Sequence, residues 1–277
     1  MSAALSPAPT RSAVLPSVLT VGIARGRHEV RCFFRSRESV LFTLAFPVML
    51  LILFGAIFGN DEVLKGTNYS TVLMAGIMAS GLGSVTFVSL SIGIATERDA
   101  GDLKRLLATP MPKMAYFIGK MIQVLVTMIM EFVLILAVGV LFYGVKLPSS
   151  GTKWLTFVWV SALGSVSCAL LGIAMSSVPK NAKSAAAIVN LPFVALQFLS
   201  GVFVSFSDLS PTLRTIASFF PLKWITQGYR SVFLPDGYLK IEPGGSWQHG
   251  LGALALGAWV LIGLLLCART FRWQRDR

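Results

Sequence analysis

Charge is scarce in this sequence. Only 13% of its 277 residues are Asp, Glu, Lys or Arg, against roughly 25% in a soluble domain. Hydrophobic residues make up 55%, and the mean hydropathy is +0.73. That balance excludes an ordinary soluble fold and indicates a membrane protein. Histidine is scarcer still: His28 and His249 both lie outside the long apolar runs. HExxH, GxSxG and paired Cys/His spacings are absent, so hydrolytic and metal-centred chemistry have no constellation to use. The phosphate loop GxxxxGK[ST] is missing too, which closes that route to ATP. No enzymatic activity, metal or cofactor is expected in this chain. Cys32, Cys168 and Cys267 show neither metal-type spacing nor a disulfide framework, and read as packed small side chains. The first 38 residues lack a signal-peptide pattern, with six arginines before Ser39. The first span is therefore expected to be an uncleaved anchor.

Long apolar runs are what the sequence does have. Six windows reach the length of about 20 residues that crosses a bilayer as a helix: 39–59, 71–95, 117–143, 155–178, 185–206 and 250–268. Barrel strands would instead alternate over about ten residues. An all-α integral membrane protein with six transmembrane helices is expected. One set of flanks holds sixteen Lys and Arg and the other seven, so the richer side is expected to be cytoplasmic. Both termini and the loop 97–113 then lie inside, in a multi-pass protein of a plasma membrane. The net charge of +12 flanks spans without forming one basic domain, so nucleic acid is not an expected partner.

Three pieces lie outside the spans. Residues 1–16 read as a disordered cytoplasmic tail. Residues 17–37 place Leu19, Ile23, Val30 and Phe33 at helical spacing, with Arg27, Arg31 and Arg35 four apart. That pattern predicts an amphipathic interfacial helix whose arginines reach lipid phosphates, ahead of a six-helix domain over 38–277. In the longest loop, Ser210-Pro211 opens one short helix and Pro221 separates it from a second. Residues 210–233 are thus expected as two half-buried re-entrant helices in the outer leaflet, followed by a turn at Pro243-Gly244-Gly245.

Polar residues inside spans are expensive and mark function or packing. Lys120 reads as snorkelling towards the inner interface. Glu131, near the middle of the third span, reads as a bundle-interior hydrogen-bonding group, with a proton or substrate role as the alternative. In the fifth span Asn190, Gln197, Ser200 and Gly201 share one side, with Pro192 as a kink. That strip either lines a pathway or bonds across a helix interface. Gly76, Ser80 and Ser84 repeat every four residues in the second span, a small-residue seam for close packing.

The segment 97–110, ERDAGDLKRLLATP, is highly charged between two such spans. With the following MPKMAYFIGK it resembles the E-R-E-x-G-T-L-E-x-L-L-x-[ST]-P signature of ABC-2 type exporter membrane subunits, the class that includes daunorubicin-resistance-type permeases. FPLKWITQGYRSVF, at 220–233, is similar to the family's proline-led aromatic segment after the fifth span. Glu97, Arg98, Gly101, Leu103, Leu106, Leu107 and Pro110 match the first signature, while Asp102 and Lys104 depart from it. The resemblance implies a bacterial ATP-driven exporter in which a separate cytoplasmic ATPase, carrying ATP and Mg, docks on 97–113. Leu103, Leu106 and Leu107 would make the apolar contact, and Glu97, Arg98, Asp102 and Arg105 the polar register. It also implies a dimer of this chain with two ATPase chains. The candidate substrate path comprises Asn190, Phe193, Gln197, Ser200 and Glu131. The outer gate would be Phe219, Phe220, Pro221, Trp224 and Tyr229. The implied cargo is an amphiphilic or hydrophobic compound, drug-like or lipid. Export of a polysaccharide or teichoic-acid-type glycan is the alternative, and an ion-coupled permease with Glu131 carrying the proton is the second.

Overall fold

The computed structural model describes residues 17–58, 61–64, 67–203, 206–242, 244–271 and 273. The expected tail 1–16 lies outside the described residues, as do Arg11, Lys65, Pro243, Arg272, Arg275 and Arg277. Helix α1 (Val18–Arg35) starts where the Ser17 hydroxyl accepts from the Thr20 N–H. Ser36 ends it and caps the next helix in turn. Spanning helices α2 (Arg37–Phe58) and α3 (Tyr69–Asp99) follow, joined by a short antiparallel pair, β1 (Glu62–Leu64) and β2 (Thr67–Asn68). The short α4 (Asp102–Leu107) precedes three more spans: α5 (Lys113–Tyr143), α6 (Gly151–Met175) and α7 (Ala182–Leu199). Short helices α8 (Pro211–Phe219) and α9 (Pro221–Phe233) then lead to the last span, α10 (His249–Thr270). The six expected spans are present, and apart from the β1–β2 pair the described architecture is helical.

Helix α3 is the centre of the bundle. Residues 72–83 are buried without interruption, as befits a helix apolar on all sides. It packs on α2, α5, α6 and α9. Small residues set those distances: a Cβ on Gly76 would strike the Val202 carbonyl, and one on Gly81 the Glu131 carboxylate. Two spans depart from α-geometry, with π-helical turns over Leu41–Ala45 in α2 and Ser84–Ser89 in α3. Pro192 does not interrupt α7, which is continuous to Leu199. The span ends earlier than expected, at a turn where Gly201 takes φ +76°, a conformation glycine adopts without strain.

One expectation gains a detail and another is corrected. Helix α1 forms, but it lies along α5 and buries Gly22, Gly26, Glu29 and Phe33, while Leu19 and Ile23 stay exposed. Ile118 and Ile122 of α5 fill the space that Cβ atoms on Gly22 and Gly26 would take. Glycine carries no hydropathy signal, so this face was invisible to a periodicity reading. The short pair is also unequal. Helix α8 is mostly exposed, whereas α9 is buried along nearly its whole length, between α3, α6 and α10.

The glycine seam generates a prediction. Gly22→Val with Gly26→Val forces branched side chains into Ile118 and Ile122, an overpacking that costs about 1–3 kcal/mol per site. Amide exchange over residues 18–35 should become fast while the spans stay protected. Unchanged protection of α1 would refute the seam.

Candidate functional site

Three consecutive charges close α3, and each reaches a different neighbour. Successive side chains on an α-helix are about 100° apart, so adjacent residues at a helix end fan outwards. Glu97 accepts from the Lys120 ammonium at 2.5 Å and from the Tyr116 hydroxyl at 2.7 Å, both on α5. Lys120 also donates to Glu29 of α1 at 2.7 Å, and Glu29 pairs with Arg25 at 2.5 Å. Arg98 donates to the Ser176 carbonyl, just past α6, at 2.6 Å, and its guanidinium lies 5.6 Å from the Phe271 ring, which follows α10. Asp99 accepts the N–H of Ala182, the first residue of α7, at 3.0 Å. Lys120 is only 4% exposed and Glu29 6%. The ends of α3, α5, α6 and α7 and the segment after α10 thus meet at residues 97–99, with α1 joined through Lys120.

Helix α4 hangs from this junction by Gly101, at φ +80°. Leu103 is fully buried, whereas Leu106 and Leu107 are half-buried and Lys104, Arg105 and Pro110 are exposed. Asp102 pairs with Arg105 at 3.2 Å. The expected apolar contact is therefore corrected: Leu103 seats α4 on its own chain, because an apolar side chain on that face packs inwards. Glu97 and Arg98 likewise bond internally and do not point to an outer surface. Lys120 does not snorkel, since two carboxylates and a phenol hold it inside. The α1 arginines Arg27, Arg31 and Arg35 are exposed.

Two cavities lie beside one another, and the first adjoins the junction. One, of about 450 Å³ between α1, α2, α3 and α5, is lined by Glu29, Glu97, Lys120, Thr127 and Gly93 among others. The second, of about 420 Å³ between α2, α3 and α7, is lined by Asn190, Phe193, Gln197, Ser80 and Phe46 among others. Thr43, Ser89 and Ile92 line both. The fifth-span strip divides accordingly. Gln197 both lines the second cavity and donates to Ser80 at 2.6 Å, while Asn190 bonds to Ala186 of its own helix. Ser200 is buried outside the cavity. Glu131 is fully buried against Gly81, away from both cavities, and neither carboxyl oxygen has a hydrogen bond. The interior hydrogen bond expected of it is not made.

At the opposite end, Phe219 and Phe220 pack on Trp259 of α10, whose indole donates to the Phe219 carbonyl. Pro221 opens α9, and Trp224 donates to the Ser218 carbonyl. Tyr229 is a core residue, 2.8 Å from the Ser161 hydroxyl. Sequence reasoning missed the charges on α9. Lys223 is buried, donates to Gln227 at 2.8 Å and lies 3.5 Å from the Trp224 ring. Burial pulls its pKa down to about 8, and burial also raises that of Glu242. Arg230 donates to the Gly201 carbonyl and lies 3.8 Å from Glu242. The spacing of Lys223, Gln227 and Arg230 along one helical face was the available signal. Tyr116, Glu29 and Ser176 carried none.

The family described as ABC-2 type transporter matches residues 24–234. The chain is 28% identical over 234 residues to a protein named "Putative transport permease ycf38" in Porphyra purpurea, covering 79% of this chain and 75% of that one. Over 175 residues it is 26% identical to "Probable multidrug ABC transporter permease YbhR" of Escherichia coli strain K12, and it matches the same-named protein of strain O157:H7 equally. Those matches cover 63% of this chain but only 46% of the E. coli proteins.

The junction generates a second prediction. Lys120→Met leaves buried Glu29 and half-buried Glu97 without their shared cation, a loss of up to about 3–5 kcal/mol. The thermal midpoint of the detergent-solubilised protein should fall, and adding Glu97→Gln should restore part of it. Additive losses in the double variant would show that the two side chains are not coupled.

Proposed function

The chain belongs to the ABC-2 type transporter family, and from that premise we propose that it is the membrane subunit of an ATP-driven exporter. A separate cytoplasmic ATPase drives it, and two copies of each chain assemble. The cargo is an amphiphilic or hydrophobic compound, taken from the cytoplasm or the inner leaflet. The arginine-rich end is cytoplasmic on this reading, following the distribution of Lys and Arg. The multidrug name of the E. coli relatives supports the cargo class.

The observation that carries the reading is the fan of Glu97, Arg98 and Asp99. A body pressing on α4 acts on one short helix, yet that helix follows directly on residues bonded to α5, to the end of α6 and to the start of α7. Leu103 anchors α4 to its own chain, and Leu106, Leu107 and Arg105 form the face offered to the ATPase. A solvated connecting loop would have no reason to bury Leu103 or to place three successive charges on three partners.

Reconstitution of the chain with its ATPase in liposomes tests this. Leu106→Asp with Leu107→Asp should reduce ATP-driven transport at least about tenfold, since burying unpaired carboxylates at a contact costs more than about 1.4 kcal/mol. The permease itself should stay folded. Transport driven by a pH gradient without ATP, and abolished by Glu131→Gln, would overturn the reading in favour of an ion-coupled permease.

A further inference from the structure

A third cavity, of about 570 Å³, lies at the end of the bundle opposite the junction. It forms where α3 and α6 begin and α5 and α9 end, with Asn68, Ser150, Tyr143 and Phe233 in its wall. Two helix starts meet two helix ends, so the helix dipoles offset one another there. Side chains therefore set the sign. Lys146 and Lys153 both line the cavity, and no carboxylate does. Among the described residues only Asp236 pairs with either lysine. It lies 4.0 Å from the Lys153 ammonium, is 85% exposed and stays outside the lining, so water screens the pair. Lys153 uses one of its three donors on the Leu234 carbonyl, at 3.0 Å. Lys146 is exposed and makes no hydrogen bond or ion pair with any described residue.

The walls are fixed before anything binds. Gly144 turns the chain out of α5 at φ +62°, a conformation glycine adopts without strain, and Val145 is buried behind it. The Trp154 indole donates to the Pro148 carbonyl at 2.9 Å, and the Tyr143 hydroxyl to the Ile52 carbonyl at 2.8 Å. The loop 144–150 is thus held between α5 and α6, and a ligand has little to order. Thr67 and Thr71 add hydroxyls from the α3 side, and Ser149 adds one from the loop. Two ammonium groups with donors to spare, flanked by hydroxyls, suit a charged group that offers only acceptor oxygens.

The position in the membrane adds to the chemistry. The cavity lies at the ends of three spans, where lipid headgroups begin, and Tyr143 and Trp154 are the ring types enriched at that level. Leu147, in the lining, is 49% exposed, and Leu141 and Phe142 at the end of α5 are 78% and 71% exposed. Hydrocarbon surface thus adjoins a cationic, hydroxyl-lined recess. We infer that this cavity binds an anionic phosphoryl group between Lys146 and Lys153, carried on a lipid headgroup or as free phosphate. The site lies beyond the export reading, and binding there needs neither ATP nor transport.

The test reads occupancy at the cavity itself. The full chain carries Ser149→Cys, with Cys32→Ala removing the exposed native thiol, and sits in phosphatidylcholine nanodiscs. N-ethylmaleimide labelling at position 149 is followed by peptide mass. Phosphatidylglycerol added to the bilayer, or inorganic phosphate added to the solution, should slow labelling saturably. The concentration giving half-protection should rise at least about tenfold in Lys146→Gln with Lys153→Gln. Lys146→Gln alone, which removes no bond and should leave the thermal midpoint unchanged, should give part of that rise. Lys240→Gln, an exposed lysine outside the lining, should give none. Protection by phosphatidylglycerol alone assigns the group to a lipid, and protection by inorganic phosphate assigns it to the free ion. No protection by either, wild-type protection in both lysine variants, or an equal rise in Lys240→Gln would overturn the inference. Protection that persists without ATP-driven transport would leave it standing and overturn the export reading alone.

Discussion

The Lys120 ammonium is the contact on which the arginine-rich end depends. It is buried between Glu29 and Glu97, residues separated in sequence by most of two spans. Removing an ion from water costs several kcal/mol even after relaxation, and only good geometry with further hydrogen bonds offsets it. Here the Tyr116 hydroxyl and Arg25 supply those further partners. Hydrocarbon of the same shape is often as stabilising as such a cluster. What hydrocarbon lacks is a single preferred register. The charges admit one arrangement of α1, α3 and α5, and the glycine seam of α1 brings Glu29 close enough to join it.

From that fixed point the order Glu97, Arg98, Asp99 distributes the remaining elements. Glu97 addresses α5 and, through Lys120, α1. Arg98 takes the end of α6, and Asp99 the start of α7. The Asp99 carboxylate meets a backbone N–H in the first turn of α7, where the helix dipole favours an anion. Arg98 meets a carbonyl just past α6, where a cation is favoured. Each charge therefore has the sign that its partner's helix end prefers. On the proposed reading, α4 is the place where an outside force enters, and these bonds determine which helices it moves.

The spans were legible because hydropathy over twenty residues is a summed property, insensitive to any single contact. The caps at Ser210-Pro211 and the break at Pro221 were legible because they act within one turn. The destinations of Glu97 and Lys120 were not. Their partners lie up to 91 residues away, and a charge run looks the same from sequence whether solvated or paired. Leu103 illustrates the same limit. It shares an apolar character with Leu106 and Leu107, and only the seat of α4 against α3 decides which of them is buried. Helix α9 was expected only half-buried, and its charges entered no part of that expectation. Arg230 and Lys223 are instead satisfied inside, by a carbonyl, an amide and an aromatic face.

The polar contacts lie mainly at the two ends of the bundle. At one end is the junction around residues 97–99; at the other, Arg230 ties α9 to the turn at Gly201, with Glu242 nearby. Between them, α3 meets its neighbours chiefly through small residues and hydrocarbon, and Glu131 there has no hydrogen bond at all. Directional bonds resist sliding, whereas dispersion contacts between smooth faces resist it much less. The two π-helical turns, in facing stretches of α2 and α3, interrupt that smooth packing where the two cavities lie. A change in how α2 and α3 approach one another would therefore be felt first in these cavities, one of which shares Glu97 and Lys120 with the junction.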